Sequence, residues 1–382
     1  MADDDFAVVV IDNGTGTIKA GFAGSETPDV IFPTVVGRPK YQGNIPTHND
    51  EDEDYEETVY VGDASAGTSA VLTISSPIKR GLIDNWDDMT KIWQHTFENE
   101  LRVDPYETPV LLTEAPLNPR INREKTTQIF FETFNVPGFF VEVSAILSLF
   151  STGRTTGLVF ESGDGVSQVV PIYEGFALQH ATERHNFAGS DLSLWMQKIL
   201  GESGLTLTSF SEKEIARSIK EKLSYVALDY QAELEKAKTS NQCEEKYTLP
   251  DGNVIIVNEE RFRCTELLFH PEMDHREIVG FHEAIFNAIM KTDIDIRRDL
   301  YKNVVLSGGS TVFPGLPERL EQEIVKLAPP AVTVKVSAPK ERKYAAWIGG
   351  SMFAALDNFV DSCVTQAEYD ECGPIIVERK CL

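Results

Sequence analysis

The chain has 382 residues, 42% hydrophobic and 25% charged, which suits two or more domains with real cores and excludes a disordered or fibrous class. Its 35 basic and 60 acidic residues give a net charge of −25, which repels phosphate backbones and excludes nucleic acid binding through a basic surface. The absence of a long apolar run predicts no membrane span, the acidic opening MADDD argues against a secretory leader, and five widely spaced cysteines fit reduced thiols; the expected location is cytoplasmic, with the nucleus left open.

Residues 7–16, AVVVIDNGTG, hold four β-branched side chains in a row, the mark of a strand buried on both faces. The strand ends in Asp12-Asn13-Gly14-Thr15-Gly16, a turn that glycine closes tightly, and 17–23 read as its return. Residues 40–58 read as a surface loop. Inside it Asp50, Glu51, Asp52, Glu53, Asp54, Glu56 and Glu57 form an acidic block, either solvated or partner-docking. A helix is expected over 120–134 after Pro119 and a short apolar one over 144–150.

Residues 157–170, GLVFESGDGVSQVV, then repeat the opening motif. Glu161-Ser162-Gly163-Asp164-Gly165 aligns with Asp12-Asn13-Gly14-Thr15-Gly16, and two copies of one hairpin predict two lobes of similar fold facing each other. Ser211 with Glu214 reads as a capping box for a helix over 215–228, 237–247 as a polar loop, and 281–291 and 319–327 as amphipathic helices. Residues 304–315, VVLSGGSTVFPG, read as strand, glycine turn and helix start. Residues 345–360 read as a buried helix broken near Gly349-Gly350. The alternation of strands and helices implies an α/β architecture.

A nucleoside triphosphate needs backbone N–H groups that approach closely, a cation, and charges that place the cation. Glycine hairpins supply the first. Asp12 and Glu161, at equivalent strand ends, suit the water shell of Mg²⁺, and Lys19 on the return strand suits a phosphate. The G-x-x-x-x-G-K-[ST] pattern is absent, so a P-loop is excluded. One glycine turn is weak evidence; two matching hairpins with the third turn at 304–315 point to a nucleotide cleft.

VIDNGTGTIKAGFAG and GRTTGLVFESGDGVSQVVPIYEGFAL resemble the two phosphate loops of the actin family. VLLTEAPLNPRINREKTTQIFFETFNVP, DIDIRRDLYKNVVLSGGSTVFPG, APKERKYAAWIGGS and the terminal RKCL extend the resemblance from end to end. It implies an actin-like ATPase fold of two similar lobes in four subdomains around a nucleotide cleft. These would be 1–33 with 77–151 and 345–382, the inserted 34–76, 152–187 with 277–344, and the inserted 188–276. It implies ATP or ADP with Mg²⁺ (or Ca²⁺) between the halves. Gly14, Thr15, Gly16 and Lys19 would lie on one side of the phosphates and Gly163, Asp164 and Gly165 on the other. Lys220, Glu221, Gly309, Phe313 and Lys343 would surround the adenosine. Asp12 and Glu161 would hold the metal through water.

Departures from the family fall where its chemistry lies. Ser144 and Gln168 stand at the positions of the glutamine and histidine that place the attacking water, so hydrolysis is expected to be impaired. Glu161 is one methylene longer than the family's aspartate, and Arg80 replaces a histidine. The loop over 41–60 is longer and acidic, and Met273-Asp274-His275-Arg276 is a polar counterpart of an apolar plug, so self-assembly is expected to be weak. Phe150, Phe176, Phe353 and Leu356 keep a groove for actin-type binding proteins apolar, or serve as core, while Asn358 and Ser362 are more polar. The leading expectation is a divergent actin acting as a cytoskeletal filament or scaffold subunit. The rivals are a non-filamentous subunit of a larger complex and an active ATPase or kinase of the same superfold. A chaperone of that superfold would need a long C-terminal substrate domain, which is not expected beyond RKCL.

Overall fold

The computed structural model describes residues 7–40, 59–63, 71–205, 207 and 210–381. The chain divides into two compact units, one of residues 1–142 with 350–382 and one of residues 143–349.

In the first unit the strand Val9–Asn13 is central to a six-stranded sheet. It pairs antiparallel with Thr17–Phe22, setting Asp12 against Lys19, and parallel with Val110–Glu114, setting Ile11 against Leu112. Val9, Val10 and Ile11 are fully buried, as a strand covered on both faces requires. The helices Trp86–His95 and Arg120–Glu132 contribute Trp93 and Phe130, whose rings lie 4.9 Å apart; Phe130 also stacks on Phe139 of the sheet at 4.7 Å. Each such ring supplies about 1.5–3 kcal/mol of transfer free energy, more than a typical net hydrogen bond of about 1 kcal/mol. Apolar packing is the larger part of what holds these helices to the sheet, beside the Trp93 Nε1–H that donates to Asn13 Oδ1 at 3.2 Å.

The second unit repeats this pattern of neighbours. Gly157–Ser162 pairs antiparallel with Ser167–Tyr173, setting Glu161 against Gln168, and parallel with Val304–Ser307, setting Glu161 against Ser307. The sequence repeat is thus a repeat of topology: a hairpin whose first strand takes a later strand in parallel. Phe160, Phe187, Trp195, Phe281, Leu306 and Leu320 bury into the core of this unit.

Helices form over Arg120–Glu132, Ser144–Phe150, Phe281–Met290 and Leu316–Leu327, where helical spacing predicts them. Three expectations need correction. The helix expected over 215–228 is Phe210–Leu223, so Ser211 lies within it rather than at its cap. Beyond it the Tyr225 N–H donates to Arg261 O and the Val226 N–H to Pro314 O. Distant segments take the donors that another helical turn would use. Residues 237–247 are not a loop: they close the helix Tyr230–Thr239 and open the strand Glu245–Thr248. Ala237 and Cys243 are buried with Phe262, while the polar side chains form the wet faces of these elements.

The helix Ala345–Ala354 runs unbroken through Gly349-Gly350, and the break falls before Phe359–Ser362. Glycine at 349 answers to space, since a Cβ there would sit 1.8 Å from Leu147 O. The acidic block at 50–57 lies outside the described residues.

All five cysteines are free; Cys243, Cys264, Cys363 and Cys381 are buried and Cys372 is half-buried. Among the described residues no helix is long and apolar enough to cross a membrane.

Candidate nucleotide site

In the first hairpin the register sets the Lys19 ammonium 2.7 Å from Asp12 Oδ2, with both groups buried. Thr113, at the end of the parallel neighbour, donates its hydroxyl to Asp12 Oδ1 at 2.7 Å and accepts the Asn13 N–H at 3.0 Å. The Lys19 ammonium expected at a phosphate is therefore held by the carboxylate expected at the cation. In the turn, Thr34 donates its hydroxyl to Gly14 O at 2.7 Å and its N–H to Gly16 O at 3.2 Å. Thr15 Oγ1 accepts the Gly81 N–H at 2.9 Å. A Cβ on Gly14 would lie 2.5 Å from Thr17 O, so this turn closes only with glycine. Its carbonyls are tied inward, and its N–H edge is the side suited to an anion.

The second hairpin is locked differently. Gly163 O accepts the Gly189 N–H at 3.0 Å and the Ser310 hydroxyl at 2.7 Å, and Asp164 O accepts the Ser190 N–H at 2.8 Å. Gly308, at φ 90°, passes so close that a Cβ would be 2.3 Å from Ser162 O. The hairpin, the start of the helix Gly189–Glu202 and the glycine turn after Val304–Ser307 thus form one assembly. At the strand end the Ser144 hydroxyl donates to Glu161 Oε2 at 2.7 Å. Across the hairpin Gln168 is 2% exposed, and its Oε1 is buried with no hydrogen-bond partner among the described residues.

Lys220 is 3% exposed and donates to Gly189 O at 2.8 Å and Ser193 Oγ at 3.0 Å; burial pulls its ammonium below the ordinary lysine value. It braces the helix start. Glu221 is exposed and pairs with Arg217 at 3.0 Å. Burial lowers the Arg217 pKa, but the charges of Asp164 and Glu221 outweigh it and hold the guanidinium above its usual value. Gly309 lies 3.9 Å (from an added Cβ) from Lys343 Cγ, whereas Phe313 is buried in the core. Lys343 is exposed, with its ammonium 5.6 Å from the Tyr344 ring centre.

The family model described as actin matches residues 3–382. The chain belongs to the actin family. Its mixed sheets are those of an actin-like ATPase fold, and the family generally binds ATP or ADP with a divalent cation. The residues of this actin-family chain fit such a group. Glu161 and Gln168 Oε1, which has no hydrogen-bond partner among the described residues, are acceptors paired across one hairpin, as the outward-turned hydrogens of a hydrated Mg²⁺ require. Among the described residues Gly163 meets nothing nearer than Val166 O at 3.8 Å from an added Cβ, so their packing does not demand glycine there, and a ligand's approach would.

Sequence reasoning missed Thr34, Thr113, Gly189 and Ser310. Thr113 leaves a trace: TE ends the buried run VLL, and a polar pair closing a buried strand marks a site at its tip. The Met273–Arg276 segment is tied down by charge. Asp274 accepts from Lys198 at 3.0 Å, and Arg276 reaches Asp274 at 3.1 Å and Asp191 at 3.0 Å while lying 4.9 Å over the Phe187 ring. Of the residues expected at a partner groove, Phe353 packs against Phe140 and Phe359 at 5.6 and 5.8 Å. Phe150 is half-buried, whereas Phe176 and Leu356 are exposed.

Proposed function

We propose that this actin-family chain binds ATP or ADP with Mg²⁺ (or Ca²⁺) and serves as a cytoskeletal subunit, in filaments or a scaffold, with slow hydrolysis at most. The observation that carries the reading is the repeated hairpin, each copy with its loop carbonyls engaged by its own unit. The N–H groups of Thr15, Gly16, Asp164 and Gly165 bind phosphate oxygens, and Lys19 adds charge beside them. Glu161 and Gln168 accept from water. A bound cation supplies neutralisation of the phosphate charge. Ser144 is committed to Glu161, which supports a loosely placed attacking water and hence a low rate.

A fluorescent ATP analogue should bind with one-to-one stoichiometry and leave on addition of EDTA or excess ATP. The same preparation should release phosphate more slowly than a conventional actin run in parallel. Absence of displaceable binding would refute the reading.

Weak self-assembly is the second part of the proposal. The charge of −25 makes subunits repel, and salt screens that repulsion over about 8 Å at physiological strength. The ion-paired 273–276 segment keeps its charges satisfied within its own subunit. Pelleting should therefore rise with ionic strength or Mg²⁺. A fall with added salt would mean that the acidic block instead grips a basic patch such as 340–343 on a neighbour.

A further inference from the structure

We propose that Ser144 is a positioning residue for Glu161, and that the pair, with Gln168, forms the acceptor wall for the water shell of a divalent cation; the inference rests on the nucleotide reading above. Ser144 opens the helix Ser144–Phe150, is 8% exposed, and donates its hydroxyl to Glu161 Oε2 at 2.7 Å. Glu161 lies directly across the hairpin from Gln168, whose buried Oε1 has no hydrogen-bond partner among the described residues.

A buried acceptor without a donor destabilises the fold that holds it, and a ligand or its water would supply what the described residues do not. A phosphate oxygen does not qualify, being an acceptor itself. Water on a cation turns its hydrogens outward and donates only. The same logic assigns the role of Ser144. A glutamate side chain is a flexible lever, and ordering it costs conformational entropy that a ligand would otherwise supply. The short bond from a hydroxyl fixed at a helix start, strengthened by the carboxylate charge, orders that lever before the ligand arrives. Ser144 touches neither phosphate nor cation in this account; it acts through Glu161.

The test reads the cation concentration giving half-maximal protection against melting, with ATP present, for Mg²⁺ and Ca²⁺ separately. The full chain is compared with Ser144→Ala, Ser144→Thr, Glu161→Asp and the Ser144→Ala/Glu161→Asp double variant. Ser144→Ala should need on the order of tenfold more cation, and Ser144→Thr, which keeps the hydroxyl, should stay near the parent. In the Glu161→Asp background, where the shorter carboxylate falls away from residue 144, Ser144→Ala should add nothing. Equal midpoints in parent and Ser144→Ala would overturn the proposal, as would a loss of the same size in the Glu161→Asp background. A parent chain with no ATP-dependent and cation-dependent protection would remove the nucleotide reading itself, and this inference with it.

Discussion

In excess ATP and Mg²⁺ the parent chain should melt higher than a Gly163→Val variant, while without ligand the two should melt nearly alike. A ligand that binds only the folded state stabilises it by about 4 kcal/mol at a thousandfold excess over Kd, which is on the order of 10 °C for units of this size. Gly163 separates binding from folding. An added Cβ meets only Val166 O among the described residues, at an ordinary 3.8 Å, so a side chain can start there without a clash yet stand where an anion must approach. Gly14 does not offer that separation, because its Cβ would strike Thr17 O at 2.5 Å. Gly201→Ala is the control. It lies in the helix Gly189–Glu202 with open space around it, and should gain up to about 1 kcal/mol with protection intact. Equal protection in the valine variant would take Gly163 out of the site.

Gly349→Ala should be a severely damaging single methyl. The new Cβ would lie 1.8 Å from Leu147 O, and a carbonyl within a helix cannot swing aside as a side chain does. The helices Ala345–Ala354 and Ser144–Phe150 must part, at a cost of roughly 3 kcal/mol or more, against a total stability of about 5–15 kcal/mol. Urea unfolding reads the loss as a lower midpoint at unchanged slope. An unshifted midpoint would mean that the two helices do not meet this closely in solution.

The hairpins are legible in the sequence because their signals are local: β-branched runs, glycine turns, and a second copy about 150 residues on. Helix limits are less legible because distant donors and acceptors set them. Nothing near Tyr225 and Val226 announces that Arg261 and Pro314 will take their N–H groups. Gly349-Gly350 reads as a break because glycine is a poor helix former, yet what decides there is the approach of another helix. Ser144 and Glu161 read as two separate departures from the family, and only the fold shows the hydrogen bond that joins them. Lys220 reads as an adenosine contact by resemblance, and nothing in the sequence announces the hydrogen bond of its ammonium to Gly189 O at the start of the helix Gly189–Glu202. Thr34 and Thr113 are ordinary strand formers in sequence and become site residues only when the strands pair.

The thiols have a practical consequence. Burial pushes Cys264, Cys363 and Cys381 up to about 12, so near neutrality they carry almost no thiolate, the form that attacks an electrophile. Cys243 is buried as well, with its Sγ turned to Glu233. That leaves Cys372, half-buried at the end of the helix Gln366–Cys372, as the most accessible thiol. A maleimide dye or a spin label thus has a single address on the native chain, and its signal comes from the unit of residues 1–142 with 350–382 without any cysteine having to be engineered away.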